Sequence, residues 1–506
     1  MFKGHPKGLI PAALANMGER FGFYTMMAIL VLFLQAKFGL DETTSGIIYA
    51  TFYSSIYFLA IVGGVIADKT KNYKGTILAG LLMMAFGYLL IAIPTPTPVP
   101  NVALYLTATC AGLAVIAFGN GLFKGNLQAL VGQMYDNPKY DKVRDSGFSL
   151  FYMFINIGGI FAPMIAPSVR SWWLERAGYN YEAALPELCH GQLAGTLSDA
   201  AAERFTTLAN GATMSTEAIT DFTAFSNDYL NVFNEGFHFA FGVAIIAMLI
   251  SLVIYLKNKA SFPDPAAAAE AAKNNPNTVT MDAKEVKQRI YALLAVFGVV
   301  IFFWFSFHQN GLTLTFFARD YTLLKLGGMD LSPEIFQSMN PFFVVFLTPV
   351  VVGIFGWLRN RGIEPSTPKK IAIGMFIAAL AFVLMTVGSL NVPLLSSVKE
   401  MGGLPDIDKV TPFLLIGAYF ILTVAELFIS PLGISFVSKV APPQYQGLMQ
   451  GLWLGATGAG NQLLVFGAML YMGVPIWLTW TVFVIACAIS MTIMIVMLKW
   501  LQKVSE

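Results

Sequence analysis

Long apolar segments are the feature that most constrains the fold of this chain. Twelve segments each hold enough apolar residues to cross a bilayer, which takes about 20 residues in a helix. They lie at about 9–36, 45–67, 75–94, 102–132, 146–170, 236–257, 289–318, 334–357, 369–391, 411–439, 444–472 and 475–499. Because a helix satisfies its own backbone hydrogen bonds in lipid, the sequence predicts an all-α integral membrane protein with 12 transmembrane helices.

Composition supports a polytopic membrane protein and excludes several other classes. Only 12% of the 506 residues are charged, against about 25% in soluble domains. The formal net charge of +2 gives no indication of a nucleic-acid partner. Cys110, Cys189 and Cys487 form no spaced pair, so neither a disulfide framework nor a zinc site is predicted. We expect no metal and no cofactor.

Basic residues in the short loops predict the orientation in the membrane. They cluster on the side of both termini, as Lys3, Lys7, Lys69, Lys71, Lys74, Lys139, Lys142, Arg144, Arg359, Arg361, Lys369, Lys370, Lys499 and Lys503. The positive-inside rule therefore places both termini in the cytoplasm. The expected location is the cytoplasmic (inner) membrane, with multiple spans.

Two longer connections divide the spans into two halves. Residues 172–235 form a predicted extracytoplasmic insert, and residues 258–287 form a predicted cytoplasmic linker. The N-terminal bundle then holds helices 1–5 within 1–171 and helix 6 at 236–257, and a C-terminal six-helix bundle occupies 288–506. Six spans, a linker and six more spans resemble the major facilitator fold, in which two bundles rock around a site near the midplane.

A charged motif follows the second span. In G-G-V-I-A-D-K-T-K-N-Y-K-G, Gly64, Asp68 and Lys69 resemble the facilitator loop in which an acid and bases clamp the cytoplasmic gate. The alternative is that these bases only orient the chain in the membrane.

Polar side chains within the predicted spans are the candidate functional residues, because an ionisable group in lipid must face water or a partner. They are Asn16, Glu19, Arg20, Lys124, Asn156, His308, Gln309, Asn340 and Glu426. Helical spacing places Asn16, Arg20 and Tyr24 on one stripe and Glu19 about 100° away. Glu19 therefore need not pair with Arg20, and two directions are open for it: towards the opposite half or towards the helices next to the first span.

The charges in the two halves have opposite signs. Arg20 and Lys124 lie in the N-terminal half, whereas Glu426 is the one acid in the interior of a predicted span of the C-terminal half. A solute bound between the halves would therefore be a zwitterion. A short peptide fits this pattern, with its carboxylate near the cations and its amine near Glu426.

The motifs around these residues resemble those of the proton-coupled oligopeptide transporter family, within the major facilitator superfamily. The matching stretches are G-E-R-F-G-F-Y-T-M (18–26), F-G-N-G-L-F-K-G-N (118–126), F-Y-M-F-I-N-I-G-G (151–159), S-M-N-P-F-F (338–343), A-E-L-F-I-S-P-L-G (425–433) and G-L-M-Q-G-L-W (447–453). The likeness runs through nearly all spans. It implies a secondary active transporter, not an enzyme, that imports di- and tripeptides by alternating access in symport with protons. We expect a monomer.

The resemblance also implies roles for single residues. Arg20, Lys124 and Asn156 would hold the carboxyl end and backbone of the peptide, and Asn340 and Glu426 would hold its amino end. Aromatic pocket walls would come from Tyr24, Tyr57, Trp304 and Trp453, although simple packing is an alternative for Tyr57 and Trp304. Proton coupling would involve Glu19, Lys124, His308 and Glu426.

Three departures from the family motifs concern proton coupling. Asn16 stands where the family has the first glutamate of E-x-x-E-R, and Phe23 stands for the first tyrosine of a Tyr-Tyr pair. His308 occupies a seventh-helix position where a proton-binding glutamate is often found, and histidine titrates near neutrality. Two versions remain open: a proton gradient drives uptake, or the protein is a peptide facilitator or exchanger with weak or no coupling.

Other function classes also remain. The chain could carry another small zwitterion or an anion, because related transporters reuse this fold, or it could sense peptides without transporting them. An intramembrane enzyme has little support, because the sequence contains neither H-E-x-x-H nor G-x-S-x-G.

Overall fold

The computed structural model describes residues 4–135, 139–140, 144–215, 217–263, 282–442 and 446–505, apart from a few side chains within helices. We number its α-helices in chain order. They are α1 Leu9–Phe38, α2 Glu42–Thr70, α3 Tyr73–Ala92, α4 Val102–Met134, α5 Arg144–Arg176, α6 Leu185–Ala194, α7 Asp199–Ala212, α8 Phe222–Asn258, α9 Ala283–Phe307, α10 Thr313–Tyr321, α11 Met339–Asn360, α12 Thr367–Gly388, α13 Leu395–Glu400, α14 Pro412–Val440, α15 Gln446–Gln462, α16 Leu464–Gly473 and α17 Ile476–Ser505. A two-stranded hairpin pairs β1 Lys325–Leu326 with β2 Met329–Asp330.

The predicted all-α membrane class is confirmed. Within the described ranges, 11 helical segments are long and apolar enough to cross a membrane. The predicted span 444–472 is instead two helices, α15 and α16, which meet at Leu463. The expectation of one continuous helix there was wrong, and the two shorter helices together follow the predicted span.

The seventh predicted span, 289–318, is also interrupted. Helix α9 ends at Phe307, a 3₁₀ turn runs over His308–Gly311, and α10 follows. Glycine is required in this turn, because a methyl group on Gly311 would lie 2.1 Å from the hydroxyl oxygen of Tyr49 on α2. The interruption places His308 at the end of a helix facing the other half.

The helices form two bundles with a defined contact between them. In the N-terminal half, α1 packs against α5 and α8, and α4 packs against α2 and α3. In the C-terminal half, α12 packs against α14 and α17, and α9 packs against α15 and α17. The halves meet where α2 contacts α15 and α16, and where α5 contacts α11 and the 3₁₀ helix Pro333–Ser338.

The segment between α5 and α8 contains the two short helices α6 and α7, and we call the end of the molecule that carries them the insert face. Both long helices reach into the predicted insert 172–235, because α5 continues to Arg176 and α8 begins at Phe222. The imidazole Nε2 of His190 on α6 lies 2.7 Å from the carbonyl oxygen of Ala36 and attaches the insert to α1. Most of the predicted linker 258–287, residues 264–281, lies outside the described residues.

Candidate functional site

Glu19 and Arg20 form a buried ion pair in α1. The Nε and Nη2 groups of Arg20 donate to the two carboxylate oxygens of Glu19 at 2.5 and 2.7 Å. The amide Nδ2 of Asn120 on α4 donates to the same carboxylate at 2.6 Å. Helical spacing alone did not predict this pairing, which forms because both side chains are long enough to meet across the helix surface. The contact with Asn120 is one with a neighbouring helix, one of the two expected directions for Glu19. The two carboxylate oxygens of Glu19 thus accept three hydrogen bonds, two from Arg20 and one from Asn120.

Asn16 lies one helical turn before Arg20 on the same stripe of α1. Its side chain is buried, and its Nδ2 group has no hydrogen-bond partner among the residues that the structure describes. An amide cannot replace the missing carboxylate as a proton acceptor. The position therefore holds an unused donor.

Lys124 of α4 carries a half-buried cation. Its Nζ lies 4.2 Å from the ring centroid of Tyr57, and the aromatic face stabilises the ammonium by a cation–π interaction. No carboxylate of the described chain forms an ion pair with it. The ammonium is therefore available to an anionic group of a ligand.

Glu426 of α14 carries the anion of the opposite half. Asn340 of α11 donates its Nδ2 hydrogens to Glu426 Oε2 at 2.7 Å and to Thr423 Oγ1 at 3.1 Å. Both Glu426 and Asn340 are half-buried. Across the described ranges, no Lys or Arg pairs with Glu426. The carboxylate can therefore accept a cationic group.

Tyr24 and Tyr57 lie between the two groups of charges. Both tyrosines are within electrostatic range of Arg20 and of Glu426. The two halves touch next to Tyr24. Gly159 of α5 lies against both of them, since a methyl group added to it would be 3.4 Å from the Tyr24 ring and 3.2 Å from Cβ of Pro341 on α11. The structure thus brings Arg20, Tyr24, Tyr57 and Glu426 around one place between the halves.

The other predicted contact residues are more engaged in packing. The amide of Asn156 donates to the carbonyl of Tyr152 one turn earlier, at 3.1 Å. Trp453 is buried, and its ring occupies the space that a Gly433 side chain would need, since a methyl group there would lie 2.1 Å from Cη2. Trp304 is also buried. Both tryptophans are therefore engaged in packing, and their predicted role as pocket walls stays a prediction.

His308 sits in an aromatic cage at the end of α9. Trp304 stacks on the imidazole with the ring centroids 4.8 Å apart and the planes 21° apart. Tyr53 of α2 lies on another side at 4.9 Å. The Nδ1 atom of His308 is 2.5 Å from Oδ1 of Asn461 on α15. Asn461 and Asn120 were not among the predicted residues, because a single asparagine within a span gives no indication of its partner.

Of the two predicted gate residues, Asp68 and Lys69, the structure describes the side chain of Lys69. Lys69 is exposed in the last turn of α2. The side chain of Asp68 lies outside the described residues, so the predicted contact of Asp68 with bases stays a prediction.

Ion pairs that join the two halves close the insert face. Arg170 of α5 pairs with Glu334 next to α11. Glu42 of α2 pairs with Arg319 at 2.7 Å and with Lys399 at 2.9 Å. We did not predict these residues as functional, because they lie at or near the ends of predicted spans or, for Lys399, in the loop between two spans, where charges commonly orient the chain in the membrane.

Two cavities lie at the insert face, and both are separate from the group of residues around Tyr24. The larger, about 610 Å³, lies between the insert and the loops of the C-terminal half, and Arg204, Arg319 and Lys399 contribute to its lining. The smaller, about 180 Å³, borders Glu42 and Arg170. Arg319 and Lys399, two of the residues that close the face, line both cavities.

Comparison with known proteins gives one consistent family. A sequence model described as the POT family matches residues 74–266 and 262–475. A peptide transporter of Yersinia enterocolitica is 29% identical over 476 residues, which cover 91% of this chain and 87% of that protein. Dipeptide and tripeptide permease A of Chromobacterium violaceum is 29% identical over 447 residues, which cover 88% and 81% of the two chains.

A solved structure supports the same fold. The crystal structure of a peptide transporter in complex with sulfate superposes with a TM-score of 0.74 at 24% identity, covering 100% of this chain and 96% of that one. The predicted major facilitator fold, with two bundles of membrane helices, is thereby confirmed.

Proposed function

The chain belongs to the POT family, and we propose that it is a secondary active transporter that imports di- and tripeptides by alternating access. One observation carries the proposal. Lys124 and Glu426 face the same region from opposite halves, and within the described chain neither has an ion-pair partner. A peptide with free ends supplies one charge of each sign and neutralises both.

The proposed binding mode follows from the free hydrogen-bonding groups. The peptide carboxylate meets the ammonium of Lys124 and the guanidinium of Arg20, whose Nε and Nη2 groups are bound to Glu19. The amide of Asn156 donates to the backbone of the peptide once it has turned away from the carbonyl of Tyr152. The peptide amine meets Glu426, which Asn340 orients. Tyr24 and Tyr57 form adaptable walls, with Trp304 and Trp453 behind them.

We assign the structure to the state that is closed towards the outside. This rests on the ion pairs at the insert face and on the positive-inside rule, which places the termini in the cytoplasm and the insert outside. Asp68 and Lys69 then belong to the cytoplasmic gate. The proposed location is the inner membrane, and the proposed functional unit is a monomer of two bundles, with residues 288–506 forming the second.

Proton coupling is part of the proposal, with His308 and Glu426 as the groups that exchange the proton. Glu19 is a weaker candidate, because both of its carboxylate oxygens already accept hydrogen bonds from Arg20 and Asn120. Lys124 contributes through its positive charge, which a bound peptide carboxylate offsets. The second candidate is a facilitator or exchanger with weak coupling, which the amide at Asn16 favours.

Transport and coupling are tested separately in proteoliposomes. Exchange of labelled dipeptide against unlabelled dipeptide, with no gradient, tests for a peptide carrier; absence of exchange contradicts the proposed function. Competition by dipeptide against other zwitterions and anions tests the substrate class. Uptake above equilibrium under an inward proton gradient tests coupling, and exchange without such uptake supports the facilitator. His308→Ala should abolish gradient-driven accumulation.

A further inference from the structure

We propose that Asn461 is a positioning residue that keeps one hydrogen on Nδ1 of His308, so that Nε2 is the atom that takes up and releases the transported proton. The inference rests on the proposed proton-coupled transport, which does not assign a role to Asn461 or a reacting atom to His308.

The contact itself supports this assignment. Nδ1 of His308 and Oδ1 of Asn461 are 2.5 Å apart, and both side chains are buried. A carbonyl oxygen only accepts hydrogen bonds, so the hydrogen between them belongs to Nδ1. A neutral imidazole carries one N–H group, and its second nitrogen then has a free lone pair. Nε2 is that nitrogen.

The orientation of the amide matters because histidine must change its charge. In the imidazolium form both ring nitrogens are donors. If Asn461 presented its NH₂ group to Nδ1, protonation would place two donors against each other. With Oδ1 at Nδ1, the same hydrogen bond persists in the neutral and the charged form. Only this orientation lets His308 titrate without local rearrangement.

Aromatic rings pack around the imidazole and restrict its rotation. Trp304 stacks on one face, and Tyr53 and Phe307 approach at ring-centroid distances of 4.9 and 5.4 Å. Helix α15 is held close to α9, because a methyl group on Gly460 would lie 2.7 Å from Cβ of Trp304. The backbone that carries Asn461 is therefore held close to α9.

The groups that face His308 also link its proton to the peptide. Tyr53 comes from α2, Trp304 and Phe307 from α9, and Asn461 from α15, while Lys124 of α4 lies within electrostatic range. The Lys124 ammonium repels a second cation on His308. A peptide carboxylate at Lys124 offsets this repulsion. Proton addition is then H⁺ plus neutral imidazole giving imidazolium at Nε2, with Nδ1–H unchanged.

The first test determines the tautomer directly. Nitrogen NMR of the full-length protein with ¹⁵N-labelled histidine, assigned by comparison with His308→Gln, reports which ring nitrogen carries hydrogen. We expect hydrogen on Nδ1 in the neutral form. Hydrogen on Nε2 overturns the proposal. This measurement needs no transport, so it stands even if the chain carries no peptide.

The second test changes the charge next to Nδ1. Asn461→Asp should move the pH midpoint of the His308 NMR signal, and of gradient-driven uptake where it occurs, to higher pH by about 1–3 units, because an adjacent anion favours imidazolium. The matched control is Gln462→Glu, an added carboxylate at the exposed neighbouring position, which should leave the midpoint in place. An unchanged midpoint in Asn461→Asp contradicts the proposal. If Asn461→Asp shifts the uptake midpoint equally in a protein that also carries His308→Gln, this result also contradicts the proposal.

Discussion

Arg170 of α5 and Glu334 of the opposite half form an ion pair in which both side chains are completely shielded from solvent. The guanidinium also lies over the ring of Tyr181, with its carbon 4.2 Å from the centroid. The pair is incompletely satisfied, because Nε and Nη2 of Arg170 and Oε2 of Glu334 have no hydrogen-bond partner within the described structure. Burying such charges opposes the attraction between them, so this contact can close the insert face and still separate.

Replacing one member of this pair should be harmful, whereas replacing both should be much less so. Arg170→Leu leaves Glu334 buried without a counter-ion, and removing one partner of a buried pair costs about 3–5 kcal/mol. We expect a lower melting temperature in detergent and faster thiol labelling of a cysteine placed at Ser338, in a background without the three native cysteines. Arg170→Leu with Glu334→Leu should recover most of both properties. A double variant as unstable as the single one would contradict this account.

The sequence predicted these helices but not their contacts. Arg170 is the last residue of the predicted span 146–170, and Glu334 is the first residue of 334–357. The sequence therefore predicted that the two charges lie at a similar depth in the membrane. Their pairing depends on how the halves dock, which no local pattern encodes. The same holds for Asn461 and Asn120, whose partners are more than 100 positions away. The turn at His308 was missed because the hydropathy of the seventh span continues through it.

The amine end of the proposed peptide site is tested by Glu426→Gln. The amide keeps the size of the side chain and can still accept from Asn340, but it removes the charge. A hydrogen bond to a charged group contributes about 1.5–3 kcal/mol, so affinity for peptides with a free amine should fall about 10- to 150-fold. Competition binding measures the change. N-acetylated peptides should be unaffected, and an equal loss for them would contradict the assignment.

The carboxyl end is tested by Lys124→Gln and Lys124→Arg. The glutamine variant should lose affinity for peptides with a free carboxylate by a similar factor of about 10 to 150, with no further loss for C-terminally amidated peptides. The arginine variant retains the positive charge and the contact with Tyr57, and it should keep more of the affinity. If both variants lose affinity equally for free and amidated peptides, Lys124 serves packing alone.

The docking of the insert on α1 should weaken in acid through His190. Burial lowers the pKa of His190, and the hydrogen bond to the carbonyl of Ala36 and the charge of Glu187 oppose this only in part. The docked form therefore favours the neutral ring. As pH falls below about 6.5, the undocked form binds the proton more readily, and the stability present at higher pH is lost.

Hydrogen exchange of the α6 amides between pH 5 and 8 measures this effect. His190→Gln should remove the dependence. Lys399 provides an internal contrast. Burial alone would lower its pKa, but Glu187 and Glu42 raise it above the ordinary value. The stability that Lys399 contributes should therefore persist from pH 5 to 8 and be lost only in strong alkali. Exchange that stays constant through pH 5 to 8 in the unmodified protein would contradict the role of His190.

Asn16→Glu asks whether the missing carboxylate sets the strength of coupling. The position is buried on the stripe of Arg20, and its amide has no partner in the described part of the chain. A glutamate there adds one titratable group beside the peptide site. If it carries one more proton per cycle, the limiting accumulation of peptide rises about tenfold per unit of pH difference, since one pH unit is about 1.36 kcal/mol per proton. Asn16→Gln has the same size without the acid and should behave as the unmodified protein. Equal accumulation by both variants would show that proton coupling does not depend on position 16. His308 and Glu426 would then be the groups that carry the coupled proton.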